Sequence, residues 1–305
     1  MAISSAAPDH VALTVARADV ALVLANVIYG TSYVVTRVVL TDVPPATLAL
    51  LRVLVGGAVL VPLSWGTRVP WSGGERARIA AMGVIGFALA FAFGHWGLAR
   101  STATNAALLI TVEPLALVLL GPLLLGERLR GMEAFGAALA LTGATLVVVN
   151  GIPGLTHEVL PRWRGDLLLV LSGLAYAAYS LIGRPILKHR PALAVTTLSI
   201  VWGVPGLVPL VALEWLDGQR PVFSGAAIVG ILHLSVVITA LGYLVWNWAL
   251  ERVTAPRAAI FVNLQPAVGA LLGVLFLGDV VNEFTVAGGT LVAVGLFLTM
   301  RRGGK

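Results

Sequence analysis

The sequence predicts an all-α polytopic membrane protein. We expect ten transmembrane helices, arranged as two inverted five-helix repeats with both termini in the cytoplasm. Three observations predict this fold class. Hydrophobic residues make up 58% of the 305 residues and charged residues only 11%, about half of what soluble domains carry. The apolar residues fall in runs long enough to cross a bilayer, and the second half of the chain repeats the first.

Each apolar run is long enough, at ~1.5 Å per residue, to span most or all of a ~30 Å hydrocarbon layer. In chain order we assign the spans to 19–40, 44–64, 77–98, 102–125, 132–149, 166–187, 192–215, 223–249, 254–277 and 283–300. The connections are short, apart from 65–76 and 150–165, and no stretch remains for a sizeable soluble domain. The residues before the first run have no apolar core of their own, so we expect an uncleaved span rather than a signal peptide.

The distribution of basic residues predicts the orientation of the spans. With the N-terminus inside, 13 of the 20 Lys and Arg residues fall in cytoplasmic segments and 4 in external ones, while Arg37, Arg52 and Arg184 lie within spans. This bias places both termini in the cytoplasm. The net charge of +6 is therefore a consequence of topology and indicates no nucleic-acid partner. The chain has no cysteine, which excludes disulfides and thiolate sites.

The internal repeat runs through the whole chain. Residues 98–148 align with 250–300 without a gap and are identical at about a third of the positions. Because each repeat holds five spans, an odd number, the second repeat must enter the membrane from the opposite side. The predicted segments are a cytoplasmic N-terminal segment (1–18), a first repeat (19–149), an external linker (150–165), a second repeat (166–300) and a cytoplasmic tail (301–305).

Inverted repeats are typical of alternating-access transporters, because two similar halves can exchange conformations around one central site. The other explanation is a duplication that only enlarges the helix bundle. A receptor or scaffold would not need matched helix breaks in both halves. An intramembrane enzyme would need a nucleophile–base set or a metal cluster, and the sequence contains no motif of either kind. We expect no enzymatic activity, no metal and no cofactor.

Polar residues within spans are the candidate solute contacts, because such groups are costly in lipid. On the first and sixth spans they are Asn26, Tyr29, Tyr33, Arg37, Tyr176, Tyr179 and Ser180. Within each span these residues share one helical face, so the two stripes would line a central cavity or hydrogen-bond neighbouring helices. Further candidates are His95 on the third span and Tyr243, Trp246 and Asn247 on the eighth. Their rings could stack on a solute or anchor the helix at the membrane interface.

The fourth and ninth spans carry matched polar and proline residues, since Glu113-Pro114 aligns with Gln265-Pro266. Each proline removes a backbone donor near mid-span, and matched breaks in two halves indicate a midplane site or serve only helix shape and gating. Glu113 is the only acid predicted deep within a span. It could bind a solute ammonium, carry a coupling proton, or pair with an intramembrane arginine. Because its mate Gln265 is neutral, no carboxylate pair exists.

Small residues recur on the fifth and tenth spans. Gly136 and Gly143 align with Gly288 and Gly295, and such flat faces allow helices to approach closely. We expect the two spans to form a helix contact or the face of a homodimer.

Several motifs resemble the drug/metabolite transporter superfamily, in its ten-span EamA type. They are Tyr29-Gly30-Thr31-Ser32-Tyr33, Leu51-Arg52, Glu113-Pro114 and Gly126-Glu127-Arg128-Leu129. The resemblance covers 19–300, although Gln265 and Asp279 stand where the family pattern usually has glutamate. It implies an exporter of the bacterial inner membrane, most like the YddG-type exporters of aromatic amino acids.

The predicted function is export of aromatic or apolar amino acids and related small metabolites, with a small-molecule solute and the lipid bilayer as partners. The alternative is an exporter of drug-like cations. Arginines within spans favour a solute with a carboxylate, although Arg37 and Arg184 could instead extend to the membrane interfaces.

Overall fold

The computed structural model describes residues 8–67, 69–113, 115–116, 131–149, 162–242, 245 and 264–300, whose regular secondary structure is entirely helical. Within them lie ten helical elements. They are α1 (Pro8–Val39), α2 (Pro45–Ser64), α3 (Gly73–Ala99), α4 (Ala103–Leu109), α5 (Gly131–Val149), α6 (Trp163–Leu187), α7 (Ala192–Leu216), α8 (Gly225–Leu241), α9 (Leu264–Leu277) and α10 (Glu283–Met300). Each overlaps one predicted span, and α1 begins before its span, inside the predicted N-terminal segment.

Five of these helices are long and apolar enough to cross a membrane, namely α2, α3, α7 and the parts of α1 and α6 over Val20–Val39 and Trp163–Gly183. Within the described residues α5, α8, α9 and α10 are shorter apolar helices. Apolar side chains point outward from both groups of helices: Leu216 on α7 is 83% exposed, and Phe276 on α9 is 73% exposed. Many other large apolar side chains are exposed as well. Helices in lipid expose such side chains, whereas a soluble monomer rarely exposes large apolar patches. Ten spans and cytoplasmic termini stay predictions.

Helix packing follows the repeat. Three helices of the first repeat pack against their own counterparts in the second, as α2–α7, α4–α9 and α5–α10. Other contacts occur in exchanged pairs: α1 packs on α8 as α6 packs on α3, and α1 packs on α9 as α6 packs on α4. Two repeats related by a pseudo-twofold axis would produce this pattern.

The third helix of each repeat contains a π-helical segment, over Gly83–Leu89 in α3 and His233–Leu241 in α8. The alignment of the repeats superposes the two segments, and π-helical turns are frequent at functional sites. The segment in α3 packs closely against the other repeat, because a Cβ at Gly86 would collide with the ring of Tyr179. Periodicity of apolar residues did not predict either segment.

The glycine faces of α5 and α10 meet inside one chain. A Cβ at Gly143 would lie 2.5 Å from the carbonyl oxygen of Gly288, and one at Gly295 would collide with the carbonyl oxygen of Gly136. Of the two roles predicted for these faces, helix contact is the one seen. Because the glycines are covered within the chain, the predicted homodimer would need another surface.

Polar contacts join the two repeats where helices begin. Arg190, just before α7, donates from Nε and Nη2 to the Glu75 carboxylate at 2.6 and 3.0 Å, in the first turn of α3. Asp42, just before α2, accepts a hydrogen bond from Ser224, the N-cap of α8. Ser224 aligns with Ser72, the N-cap of α3, so the two contacts occupy related places in the two repeats.

Candidate functional site

A cavity of about 430 Å³ lies among α1, α2, α3, α4, α6, α8 and α9, so that both repeats contribute to its wall. Many of the predicted site residues line it. They are Tyr29, Tyr33, His95, Glu113, Tyr176, Tyr179, Ser180 and Gln265. The sixth-span stripe and the two tyrosines of the first-span stripe therefore face one common space. Its volume lies within the ~300–1,000 Å³ of small-molecule sites.

Glu113 reaches the cavity because the fourth span is interrupted. Helix α4 ends at Leu109, a turn follows, and the backbone N–H of Glu113 donates to the Ile110 carbonyl at 3.1 Å. That carbonyl would have bonded to residue 114 in a regular helix, and proline has no N–H to donate. Ser180 on α6 donates from Oγ to Oε1 of Glu113 at 3.3 Å. The carboxylate is thus tied to a side chain of the other repeat.

Of the predicted solute contacts that the structure describes, two do not line the cavity. Arg37 donates from Nη1 to the carbonyls of Leu98 and Ala99 at 3.1 and 2.9 Å, at the end of α3. A cation is favourable there because the C-terminus of a helix carries partial negative charge. Asn26 is fully buried and accepts a hydrogen bond from Nε2 of Gln265 at 2.8 Å. It holds a cavity residue rather than facing the cavity itself.

Replacing Asn26 with leucine should destabilise the protein by about 1 kcal/mol and lower transport. The amide of Gln265 loses its acceptor, and a buried donor without a partner is costly. Melting temperature in detergent and uptake into proteoliposomes measure the two effects. Thr142→Val is the matched control, because Thr142 is an exposed residue of α5 that bonds only to its own helix, at the Ala138 carbonyl. Equal melting temperatures for the two variants would contradict the assigned role of Asn26.

Other predicted residues lie outside the described part of the chain, namely Pro114, Tyr243, Trp246 and Asn247. Their roles stay predictions, as does any pairing of Glu113 with the Arg184 side chain. Pro266 lies in the first turn of α9 as described, directly after the cavity residue Gln265.

The cavity also contains an arginine that the site prediction left out. Arg52 on α2 lines the cavity and donates from Nε to Oγ1 of Thr239 at 3.1 Å. Its guanidinium carbon lies 4.5 Å from the centroid of the Phe91 ring, a cation–π distance. The sequence placed Arg52 within a span, but only the fold distinguishes it from Arg37.

Aromatic rings form one wall of the cavity. Phe91 makes edge-to-face contacts with Phe87 and Tyr176, at centroid distances of 5.6 and 6.1 Å, and Phe87 makes one with Tyr179 at 5.5 Å. His95 extends this wall; its Nδ1 lies 3.1 Å from the Pro45 carbonyl oxygen. Among the residues that the structure describes, the lining thus combines an aromatic surface with the carboxylate of Glu113 and the guanidinium of Arg52. The cavity can hold a small amphipathic solute.

Named relatives align along most of the chain. A protein of Streptantibioticus cattleyicolor described as a probable terminal-alkyne amino-acid exporter is 28% identical, over 92% of this chain and 93% of its own. A probable amino-acid metabolite efflux pump of Salmonella typhimurium is 26% identical, over 91% and 92%. An uncharacterized transporter of Archaeoglobus fulgidus is 28% identical, over 91% and 95%.

A solved crystal structure shares the fold, with a TM-score of 0.62 and 21% identity, over 95% of this chain and 99% of the other. The model of the EamA-like transporter family matches twice, over residues 16–149 and 163–301. The two matches coincide closely with the two repeats and together cover nearly the whole chain. With helices suited to a bilayer and a cavity between its repeats, the chain belongs to the EamA-like transporter family.

Proposed function

We propose that this membrane transporter exports aromatic and apolar amino acids and related small metabolites by alternating access around the cavity. One observation carries the proposal: polar and aromatic side chains of both repeats converge on a single space of about 430 Å³. A site shared by two similar halves is the arrangement that alternating access requires. Membership of the family supports transport, and the side chains that line the cavity support this class of solute.

The chemistry of the cavity matches an amino acid at three points. The aromatic wall around Phe91 and Tyr176 offers contact to an apolar or aromatic side chain. Glu113 supplies a carboxylate for an ammonium group, and Arg52 supplies a cation. An exporter of drug-like cations is the alternative, but an arginine in the cavity would repel a cation. Two relatives with amino-acid exporter or efflux names are consistent with the first class.

We further propose the orientation that the basic residues favour, with ten spans and both termini in the cytoplasm of a bacterial inner membrane. The bias of 13 cytoplasmic against 4 external Lys and Arg residues supports it. In this orientation the contact between Arg190 and Glu75 lies on the cytoplasmic side and that between Asp42 and Ser224 on the external side. Alternating access would break one of these contacts at a time.

Counterflow in proteoliposomes tests the proposed function. Vesicles preloaded with phenylalanine, tryptophan or leucine should accumulate the same labelled amino acid, and lipophilic cations should not compete. Replacing Glu113 with glutamine should lower this exchange about tenfold, because a charge-assisted hydrogen bond to the ammonium is lost. The control is Glu283→Gln, the same change at an exposed acid that begins α10. Competition by cationic drugs alone would overturn the proposal.

A further inference from the structure

We infer that Arg52 is the carboxylate-binding residue of the cavity, so that a solute amino acid lies with its carboxylate at α2 and its ammonium at Glu113. This inference rests on the proposed amino-acid export. It adds the orientation of the bound solute and the basis of its selectivity: the cavity favours solutes with a carboxylate, and Arg52 binds that carboxylate.

Arg52 is held by a residue that is itself fixed. Thr239 is 1% exposed, and its hydroxyl donates to the Leu234 carbonyl at 2.9 Å. Because that proton is used, the same oxygen presents a lone pair to Nε of Arg52 at 3.1 Å. Thr239 lies in the π-helical segment of α8 and bonds back five residues along the chain. The hydrogen bond therefore orients a cation of the first repeat with a side chain of the second.

The second support is the Phe91 ring. Phe91 is 4% exposed and lies two residues after the π-helical segment of α3, with the guanidinium over its face at 4.5 Å. An aromatic face attracts a cation without neutralising it. A guanidinium with both neighbours in place is preorganised, so that little conformational entropy is lost when it binds a carboxylate. Arg52 thus contacts the third helix of each repeat, beside its π-helical segment.

Two other charged residues predicted within the spans, Arg37 and Glu113, have hydrogen-bond partners of their own. Arg37 is bonded to the carbonyls that end α3, and Glu113 receives its hydrogen bond from Ser180 on α6. Arg52 and Glu113 line the cavity from different segments of the chain. Arg52 lies on α2, and Glu113 lies in the interrupted segment after α4. A zwitterion has one group for each of these charges. An amine without a carboxylate would bring a positive charge toward the guanidinium and offer no group that attracts it, which disfavours binding.

The test compares three solutes that share the same phenyl ring and two-carbon chain but carry different charged groups: phenylalanine, its decarboxylated amine phenethylamine, and N-acetylphenylalanine, whose ammonium is replaced by a neutral amide. Inhibition of labelled phenylalanine counterflow measures their relative binding. In the wild-type protein phenylalanine should inhibit at least about tenfold better than phenethylamine. Arg52→Gln should lower phenylalanine exchange about tenfold and abolish this preference, while Arg52→Lys should retain part of it. N-acetylphenylalanine, which keeps the carboxylate, should become a weaker inhibitor in Arg52→Gln.

Arg220→Gln is the matched control. Arg220 also donates to a neighbour, the Trp215 carbonyl at 2.7 Å, and lies 5.2 Å from the ring of Trp215, but it is exposed and outside the cavity. Its loss should leave exchange and preference unchanged. If Arg52→Gln cannot be purified as a folded protein, Thr239→Val serves instead, because it removes the orienting bond and keeps the charge. It should weaken the preference about threefold, and an unchanged preference would overturn the inference.

The outcomes separate the two claims. A wild-type protein that exchanges phenylalanine, with a folded Arg52→Gln variant that keeps the full preference for the carboxylate, overturns the role of Arg52 alone. A wild-type protein that exchanges no amino acid overturns both the role of Arg52 and the proposed function. Loss of the preference in Arg52→Gln but not in Arg220→Gln supports both.

Discussion

Replacing Glu214 with alanine should destabilise the protein by about 3 kcal/mol, more than any other single removal of a side chain discussed above. Glu214 is 5% exposed near the end of α7, and its carboxylate closes the start of α2. It accepts from the backbone N–H groups of Ala46 and Thr47 at 2.7 and 2.9 Å, and from Nε1 of Trp96 at 3.0 Å. Alanine would leave these buried donors without their acceptor.

The helix start explains why the loss is large. The N-cap of α2 is Pro44, and it makes no side-chain capping bond, so the first turn depends on a carboxylate from the other repeat. A negative charge at a helix N-terminus also interacts favourably with the helix dipole. Thermal unfolding in detergent measures the effect, with Glu214→Gln expected to lie between wild type and alanine. Asp217→Ala, at an exposed position of the same chain segment, is the control; if both variants melt alike, the capping role is wrong.

The family and the positions of the helices could be predicted because their signals are local or periodic. Apolar runs located the helices, and the alignment of Glu113-Pro114 with Gln265-Pro266 singled out two residues that line the cavity, Glu113 and Gln265. The interruption after Leu109 follows from the same chemistry, since a proline leaves the Ile110 carbonyl without its usual partner. Such features can be predicted without knowing which helices pack against each other.

Features that depend on distant neighbours could not be predicted. Glu214 and Ala46 are 168 residues apart, and nothing in either segment identifies the other. Trp96 lies near the end of its span, where a tryptophan commonly anchors a helix at the membrane interface, and only the fold shows that its N–H donates to Glu214. The arginines were equally ambiguous: Arg37 and Arg52 both lie within apolar spans, but one ends a helix and the other lines the cavity. The one usable signal was Pro44 at the N-cap of α2. A proline side chain cannot cap a helix, so the first turn needs an acceptor from elsewhere in the chain.

The π-helical segments show a different limit. A π-helical segment forms i→i+5 instead of i→i+4 hydrogen bonds, which slightly changes the helical period. In a span that is apolar on all sides this change leaves no trace in the pattern, so the sequence predicts ordinary helices for α3 and α8. The consequence for the site is considerable, because Thr239 lies in one segment and Phe91 follows the other. Both supports of Arg52 therefore depend on a backbone feature that side-chain periodicity does not reveal.

Replacing Gly143 with valine should destabilise the protein by about 3 kcal/mol, at the upper end of what overpacking of a tight contact costs. A Cβ there would lie 2.5 Å from the Gly288 carbonyl oxygen and 2.7 Å from the Val292 backbone nitrogen. Both neighbours are backbone atoms, which cannot rotate away as a flexible side chain would. The side chain can be accommodated only if α5 and α10 separate along their length.

Gly131→Ala on the same helix is the control, because no atom lies within 4 Å of a Cβ there. Alanine at that exposed position should leave the melting temperature unchanged or raise it slightly. Light scattering of the purified variants adds a second readout. Since α5 and α10 cover each other within one chain, Gly143→Val should lower the melting temperature without changing the mass of the particle. A variant that melts like wild type but loses a dimer would mean that these glycines pack between chains instead.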